Sequence, residues 1–168
     1  MSSVFSPAGQ TNPTPVLYEP ESGLGLISLM DAAGGNRLNP LSLKLLIAAL
    51  DQALADATVR AIVLRAAGPA GSAFCLGMDL DKLSSSLGQE GNLGARRQAV
   101  LDYGSLLERI SSCGKPVIAL VGGAVKAGGV GLVAACDIVL AASSASFELS
   151  EVLFGLIPAN LATLTNAR

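Results

Sequence analysis

The sequence predicts an α/β fold with parallel strand pairing, and three observations carry that expectation. Strand-like and helix-like segments alternate along the chain. The strand candidates are unbroken apolar runs, the pattern of a sheet covered on both faces. Of the 168 residues, 51% are hydrophobic and only 14% charged, which is rich in apolar side chains for one short domain. A large subunit interface would raise the apolar fraction as well. The length suits one domain with one core.

Taken in order, the chain opens with MSSVFSPAGQTNPTP, rich in Ser and Pro. It has neither the basic region nor the apolar region of a signal peptide, so residues 1–20 are expected to be a flexible leader. Leu24 to Met30 is an apolar run expected as the first strand. The loop Asp31 to Asn39 holds the turn formers Gly34, Gly35 and Asn36. Asn39 followed by Pro40 marks a helix start. Leu43, Leu46, Ile47, Leu50 and Leu54 then fall at helical spacing and predict a helix over 40–57.

Ala61 to Arg65 reads as a buried strand. Residues 66–73 loop out, 74–80 are irregular, and 84–94 look mobile. A helix is expected over 95–112, burying Val100, Leu101, Leu106, Leu107 and Ile110. Lys115-Pro116 restarts the chain into a strand over 117–121. A loop, a short helix over 128–135 and a strand over 137–141 follow. The run from Val117 to Ala135 approaches the length of a membrane span, but it carries Lys126 and five glycines. Two buried elements joined by a Gly-rich turn fit it better.

Composition removes whole classes of function. The net charge is −2 and there is no basic stripe, so nucleic acid is not an expected partner. There is no histidine, which removes Ser-His-Asp and Cys-His nucleophiles and His-based metal sites. Cys75, Cys113 and Cys136 are odd in number, widely spaced and lack a CxxC pair. Neither a disulfide framework nor a zinc site is expected, and a reducing cytoplasm fits. The three thiols read as small buried hydrophobes. The reading calls for no metal, no cofactor and no membrane.

Three features could carry chemistry. The first is the turn Phe74-Cys75-Leu76-Gly77-Met78-Asp79. The second is the stretch from Gly123 to Gly131, with Lys126, Gly128 and Gly129. Both follow buried strands, where ligand crevices form in α/β folds. The second runs into a helix whose first N–H groups lack partners and carry partial positive charge. An oxyanion there would be stabilised. The spacing matches neither GxGxxG nor a P-loop, and close packing through glycines is the plain alternative. The third feature is Glu151, in the apolar stretch from Phe147 to Pro158. Partial desolvation there would raise its pKa toward proton transfer; a solvated or helix-capping acid is the plain alternative. Asp79 and Asp137 read as structural.

Lys115-Pro-Val-Ile-Ala, the Gly128-Gly129 helix start, Cys136-Asp-Ile-Val139, Phe147 with Glu151, and Gly155-Leu-Ile-Pro158 occur in an order that resembles the enoyl-CoA hydratase/isomerase (crotonase) superfamily. The resemblance covers most of the chain from about Leu24. It implies a crotonase-type spiral fold of ββα units over 21–168, lacking the family's C-terminal helices. It implies that the Met78 N–H, after Gly77, and the Gly128 N–H form an oxyanion hole for a thioester carbonyl. Glu151 resembles the second catalytic glutamate of the hydratases, while Gly131 stands where they have their first. The wording of AGGVGLVAACDIV, SASFELSEVLFGLIPA and FCLGMDL is similar to the dehydratases of polyketide β-branching cassettes. These convert 3-hydroxy-3-methylglutaryl-acyl carrier protein to 3-methylglutaconyl-acyl carrier protein. The resemblance thus implies an acyl carrier protein or coenzyme A thioester as partner, and a homotrimer at full length. Lys126 would then meet a distal substrate carboxylate or remain a solvated loop lysine. An enoyl thioester isomerase, which also manages with one glutamate, and a non-catalytic acyl-carrier-binding subunit are the alternatives.

Overall fold

The computed structural model describes residues 14–79 and 91–149. Strands β1 (Val16–Glu21) and β2 (Leu24–Leu29) form an antiparallel hairpin. Ser22 and Gly23 turn it with φ of 50° and 84°, the left-handed pair that suits the twist of the flanking strands. The leader expected through residue 20 is therefore corrected: β1 begins at Val16. Its mostly exposed residues and Pro20 suit the sheet edge it occupies, and this hid it from a search for buried runs.

β2 pairs in parallel with β3 (Ala61–Ala66), β3 with β4 (Val117–Val121), and β4 with β6 (Ile138–Ala141). The sheet order is β1-β2-β3-β4-β6. A second, two-stranded parallel sheet joins β5 (Ala124–Lys126) to β7 (Ser146–Glu148). β5 lies where the sequence predicts a loop, because three residues are too few to show a period.

Helix α1 (Pro40–Ala55) starts as expected. Asn39 Oδ1 accepts the Leu41 and Ser42 N–H groups at 3.0 Å, and Ser42 Oγ accepts the Asn39 N–H at 2.8 Å. The helix ends two residues earlier than expected. There Lys115 Nζ donates to the carbonyls of Ala53 and Asp56, each at 2.7 Å. The lysine that opens β4 thus caps a distant helix end.

Helix α2 (Gly91–Ser112) starts at Gly91, so residues 91–94, expected to be mobile, are helical. Its buried stripe is Ala99, Tyr103, Leu106, Leu107 and Ile110, a single helical face. Val100 and Leu101, expected to be buried, are 55% and 56% exposed. They sit about 100° and 200° round the helix from Ala99. Helix α3 (Gly128–Ala135) is where the sequence places it.

The core joins Leu29, Ile62, Val117 and Val121 of the strands to Leu43 and Leu50 of α1, Leu106 of α2 and Leu132 of α3. Burial on both faces holds for β2, where all but Leu24 are buried. It does not hold for β6, which is exposed along its whole length; β6 closes the five-stranded sheet, with no described strand beyond it. Among the described residues no helix is long and apolar enough to cross a membrane.

Candidate active site

Two segments leave the ends of parallel strands and meet. The first, Phe74 to Asp79, follows β3 and is tied on both edges. Phe74 and Cys75 donate to the Ala124 carbonyl at 2.9 and 3.4 Å, and Lys126 N–H donates to the Cys75 carbonyl at 2.9 Å. On the other edge Leu38 N–H reaches the Gly77 carbonyl at 2.8 Å, and Asp79 N–H reaches the Leu38 carbonyl at 2.7 Å. These two bonds straddle Met78 in a parallel bridge with Leu38. The N–H of a residue so straddled points away from its partner strand. Asn36 supports the segment from below, its amide donating to the Ala73 carbonyl at 2.8 Å.

Gly77 sits at φ 87°, a region that favours glycine. A methyl group placed on it would stand 2.9 Å from Ala127 Cβ and 3.3 Å from Gly128 N. The two turns therefore touch at their glycines. Gly129 packs equally closely, since a Cβ there would collide with the Cys75 carbonyl. Close packing therefore does not exclude a donor role: the same contact sets the residue before Met78 against the Gly128 nitrogen.

The second segment enters α3 through Ala127, a non-glycine residue at φ 47° and ψ −122°. Such backbone is strained and is held only by its surroundings. Here Ala127 N–H donates to the Glu148 carbonyl of β7 at 2.9 Å, and Ala127 accepts from Val130 N–H at 2.8 Å. No backbone acceptor among the described residues takes the N–H of Met78 or of Gly128. Both residues are half-buried. An N–H at a helix N-terminus carries partial positive charge, and donors of this kind suit a carbonyl oxygen gaining charge.

Lys126 lies on β5 and pairs with Glu148 at 2.6 Å. It lies on a strand, which corrects the loop part of the solvated-loop reading, while its side chain stays partly solvated. Both side chains are more than two-fifths exposed, so the pair adds little stability. Asp137 is structural as expected: its Oδ2 accepts the Val117 N–H at 2.8 Å, and its own N–H donates to the Val117 carbonyl at 2.8 Å. Cys75 and Cys136 are buried and Cys113 half-buried, all as free thiols. Burial pushes the Cys75 thiol up to about 11, so it stays protonated at neutral pH. Among the described residues no group of His, Cys, Asp or Glu assembles as a metal site.

Glu151 and the Gly155–Pro158 stretch lie outside the described residues. The described chain ends at Leu149, just after β7 reaches the Ala127 turn. Sequence reading missed Tyr103. It is buried, and its hydroxyl donates to the Gly128 carbonyl at 2.6 Å. The available signal was a tyrosine on a core stripe, since a buried phenol nearly always finds a hydrogen-bond partner.

Glycine-rich turns beyond the ends of parallel strands are where α/β folds commonly bind ligands. Comparison makes this specific. The sequence profile of the enoyl-CoA hydratase/isomerase family matches residues 19–168. The chain is 39% identical over 145 residues to a protein of Rhodobacter capsulatus named "Probable enoyl-CoA hydratase", covering 85% of this chain and 52% of the relative. It is 34% identical to the human mitochondrial methylglutaconyl-CoA hydratase, covering 84% of this chain and 40% of that protein. The crystal structure of an enoyl-CoA hydratase from Bacillus anthracis superposes with a TM-score of 0.76 at 31% identity, over 87% of this chain and 54% of that one. The chain belongs to the enoyl-CoA hydratase/isomerase (crotonase) family. It spans about half the length of the curated relatives it matches.

Proposed function

We propose that the chain carries hydro-lyase chemistry on an acyl thioester. The Met78 and Gly128 N–H groups hold the thioester oxygen while C2 loses its proton and the carbonyl becomes an enolate. The observation that supports this is the close approach of the Gly77 turn to the Gly128 nitrogen, with no described backbone acceptor taking the Met78 or Gly128 N–H. Fixed donors aimed at a developing oxyanion are commonly the largest single catalytic contribution. Glu151 is the base. It takes the C2 proton and returns it to the hydroxyl that leaves as water, which one carboxylate can do if both groups depart from one face.

The substrate we assign is 3-hydroxy-3-methylglutaryl-acyl carrier protein, dehydrated to the 3-methylglutaconyl thioester within polyketide β-branching. Two things support it: the wording of the Gly128 and Glu151 segments, and a relative whose name carries the same methylglutaconyl group. A soluble cytoplasmic homotrimer is the assembly proposed with it. A second reading, enoyl thioester isomerase, is favoured by Gly131, which leaves one carboxylate where two-carboxylate hydratases have a pair.

The test follows the mass of the carrier-bound and coenzyme A-bound acyl group with wild type and Glu151→Gln. Loss of one water by the wild type alone is expected. With the 3-methylglutaconyl thioester supplied instead, an unchanged mass with a double bond moved, as read by NMR, supports the isomerase. No change in either substrate with either protein removes the catalytic assignment.

A further inference from the structure

We propose that Tyr103 is a positioning residue for the second oxyanion donor. Its hydroxyl pins the Gly128 carbonyl, on the peptide that follows the Gly128 N–H, and so limits rotation at Gly128 while Val130 N–H holds the Ala127 carbonyl on the other side. The inference rests on the reading of Met78 and Gly128 as oxyanion donors.

Gly128 and Gly129 open α3 side by side, and paired glycines have wide conformational freedom. A donor on such a segment is useful only if it is held still, because stabilisation of the oxyanion depends on donors fixed in advance. The residue before Gly128 is held from β7, through the Ala127 N–H and the Glu148 carbonyl. Gly128 itself is held from α2, through Tyr103 at 2.6 Å. With both sides tied, the peptide between Ala127 and Gly128 has little room to rotate.

The same hydroxyl explains the missing carboxylate. A Cβ on residue 131 would collide with the Tyr103 hydroxyl and stand 3.4 Å from a Leu107 methyl. A side chain at 131 and the Tyr103 hydroxyl exclude each other in this packing. The position that bears the first glutamate in two-carboxylate hydratases is here given over to anchoring the donor.

Tyr103→Phe tests this, because it keeps the ring in the core and removes only the hydroxyl. The probe is butyryl-coenzyme A labelled with carbon-13 at the carbonyl; being saturated, it can be neither hydrated nor isomerised. Isotope-edited infrared difference spectra of the bound thioester report carbonyl polarisation directly and do not depend on the folded fraction. With wild type the carbonyl band is expected to move to lower frequency. Tyr103→Phe should retain less than half of that displacement. On crotonyl-coenzyme A, kcat should fall on the order of tenfold with KM within about twofold, the pattern of a contact made chiefly in the transition state. Leu107→Val, which loosens the same packing without touching the Gly128 carbonyl, should keep the full displacement.

An equal displacement in wild type and Tyr103→Phe overturns the positioning role while leaving the oxyanion reading intact. An equal loss in Leu107→Val also overturns it, since general loosening would then be the cause. No displacement in wild type removes the oxyanion reading, and the inference with it.

Discussion

Gly131 and Tyr103 form a matched pair, and the match has a measurable energy. A methyl group added at Gly131 meets the phenolic oxygen in a buried setting, and overpacking of this kind costs about 1–3 kcal/mol. Gly131→Ala should therefore lower unfolding free energy by that amount in urea titration. In the Tyr103→Phe background the obstructing oxygen is gone, so the same change should cost less than half as much. Additive losses in the double variant would show that the two sites do not touch in solution. The thiols offer a second residue-scale check. Cys75 is fully buried with its thiol raised to about 11, and the thiolate is the form that reacts. Iodoacetamide at neutral pH should label Cys113 well before Cys75, as read by peptide mass spectrometry. Fast labelling of Cys75 in the folded chain would contradict its burial.

Among the elements, α1 shows most clearly how local sequence writes structure. Asn39, Pro40 and Ser42 settle its start through side-chain bonds that the sequence displays. Asn39→Ala should destabilise the fold by about 1 kcal/mol, the usual cost of removing a helix cap. A lower urea midpoint with an unchanged slope is the expected outcome, and an unchanged midpoint would show that the cap contributes nothing. The other end of α1 was not legible in the same way. It is capped by Lys115 from 59 residues away, and such a contact exists only once the chain is folded. β5 and β7 were missed for a similar reason, since their pairing joins two three-residue strands that carry no periodic signal alone. The α2 stripe was partly misread because Val100 and Leu101 are apolar yet lie off the buried face. At the site, the glycines and the start of α3 were legible because turns demand particular residues. Tyr103 was not, because its role lies in which carbonyl it meets.

At the scale of the whole molecule, the outer sheet face over β4 and β6 is the feature that the fold leaves unresolved. Leu120 pairs in register with Leu140, and Ile118 with Ile138. Leu120, Ile138 and Leu140 are 47%, 48% and 55% exposed. Contiguous apolar surface of this kind marks an interaction site more often than free surface. The high apolar fraction of the sequence is therefore only partly accounted for by the described core; this face carries a further part of it. The proposed homo-oligomer would cover it. Re-burying about half of one leucine is worth about 1–1.5 kcal/mol, roughly a tenfold change in association. Sedimentation over a range of concentrations should show wild type self-associating. Leu140→Lys should weaken that association by at least about tenfold, since a buried ammonium adds its own desolvation cost. Its unfolding midpoint, measured where both proteins are monomeric, should stay close to that of wild type because the side chain already faces water there. A variant that unfolds early at those concentrations would place Leu140 in the monomer's own core. A variant that associates as tightly as wild type would move the contact to another surface.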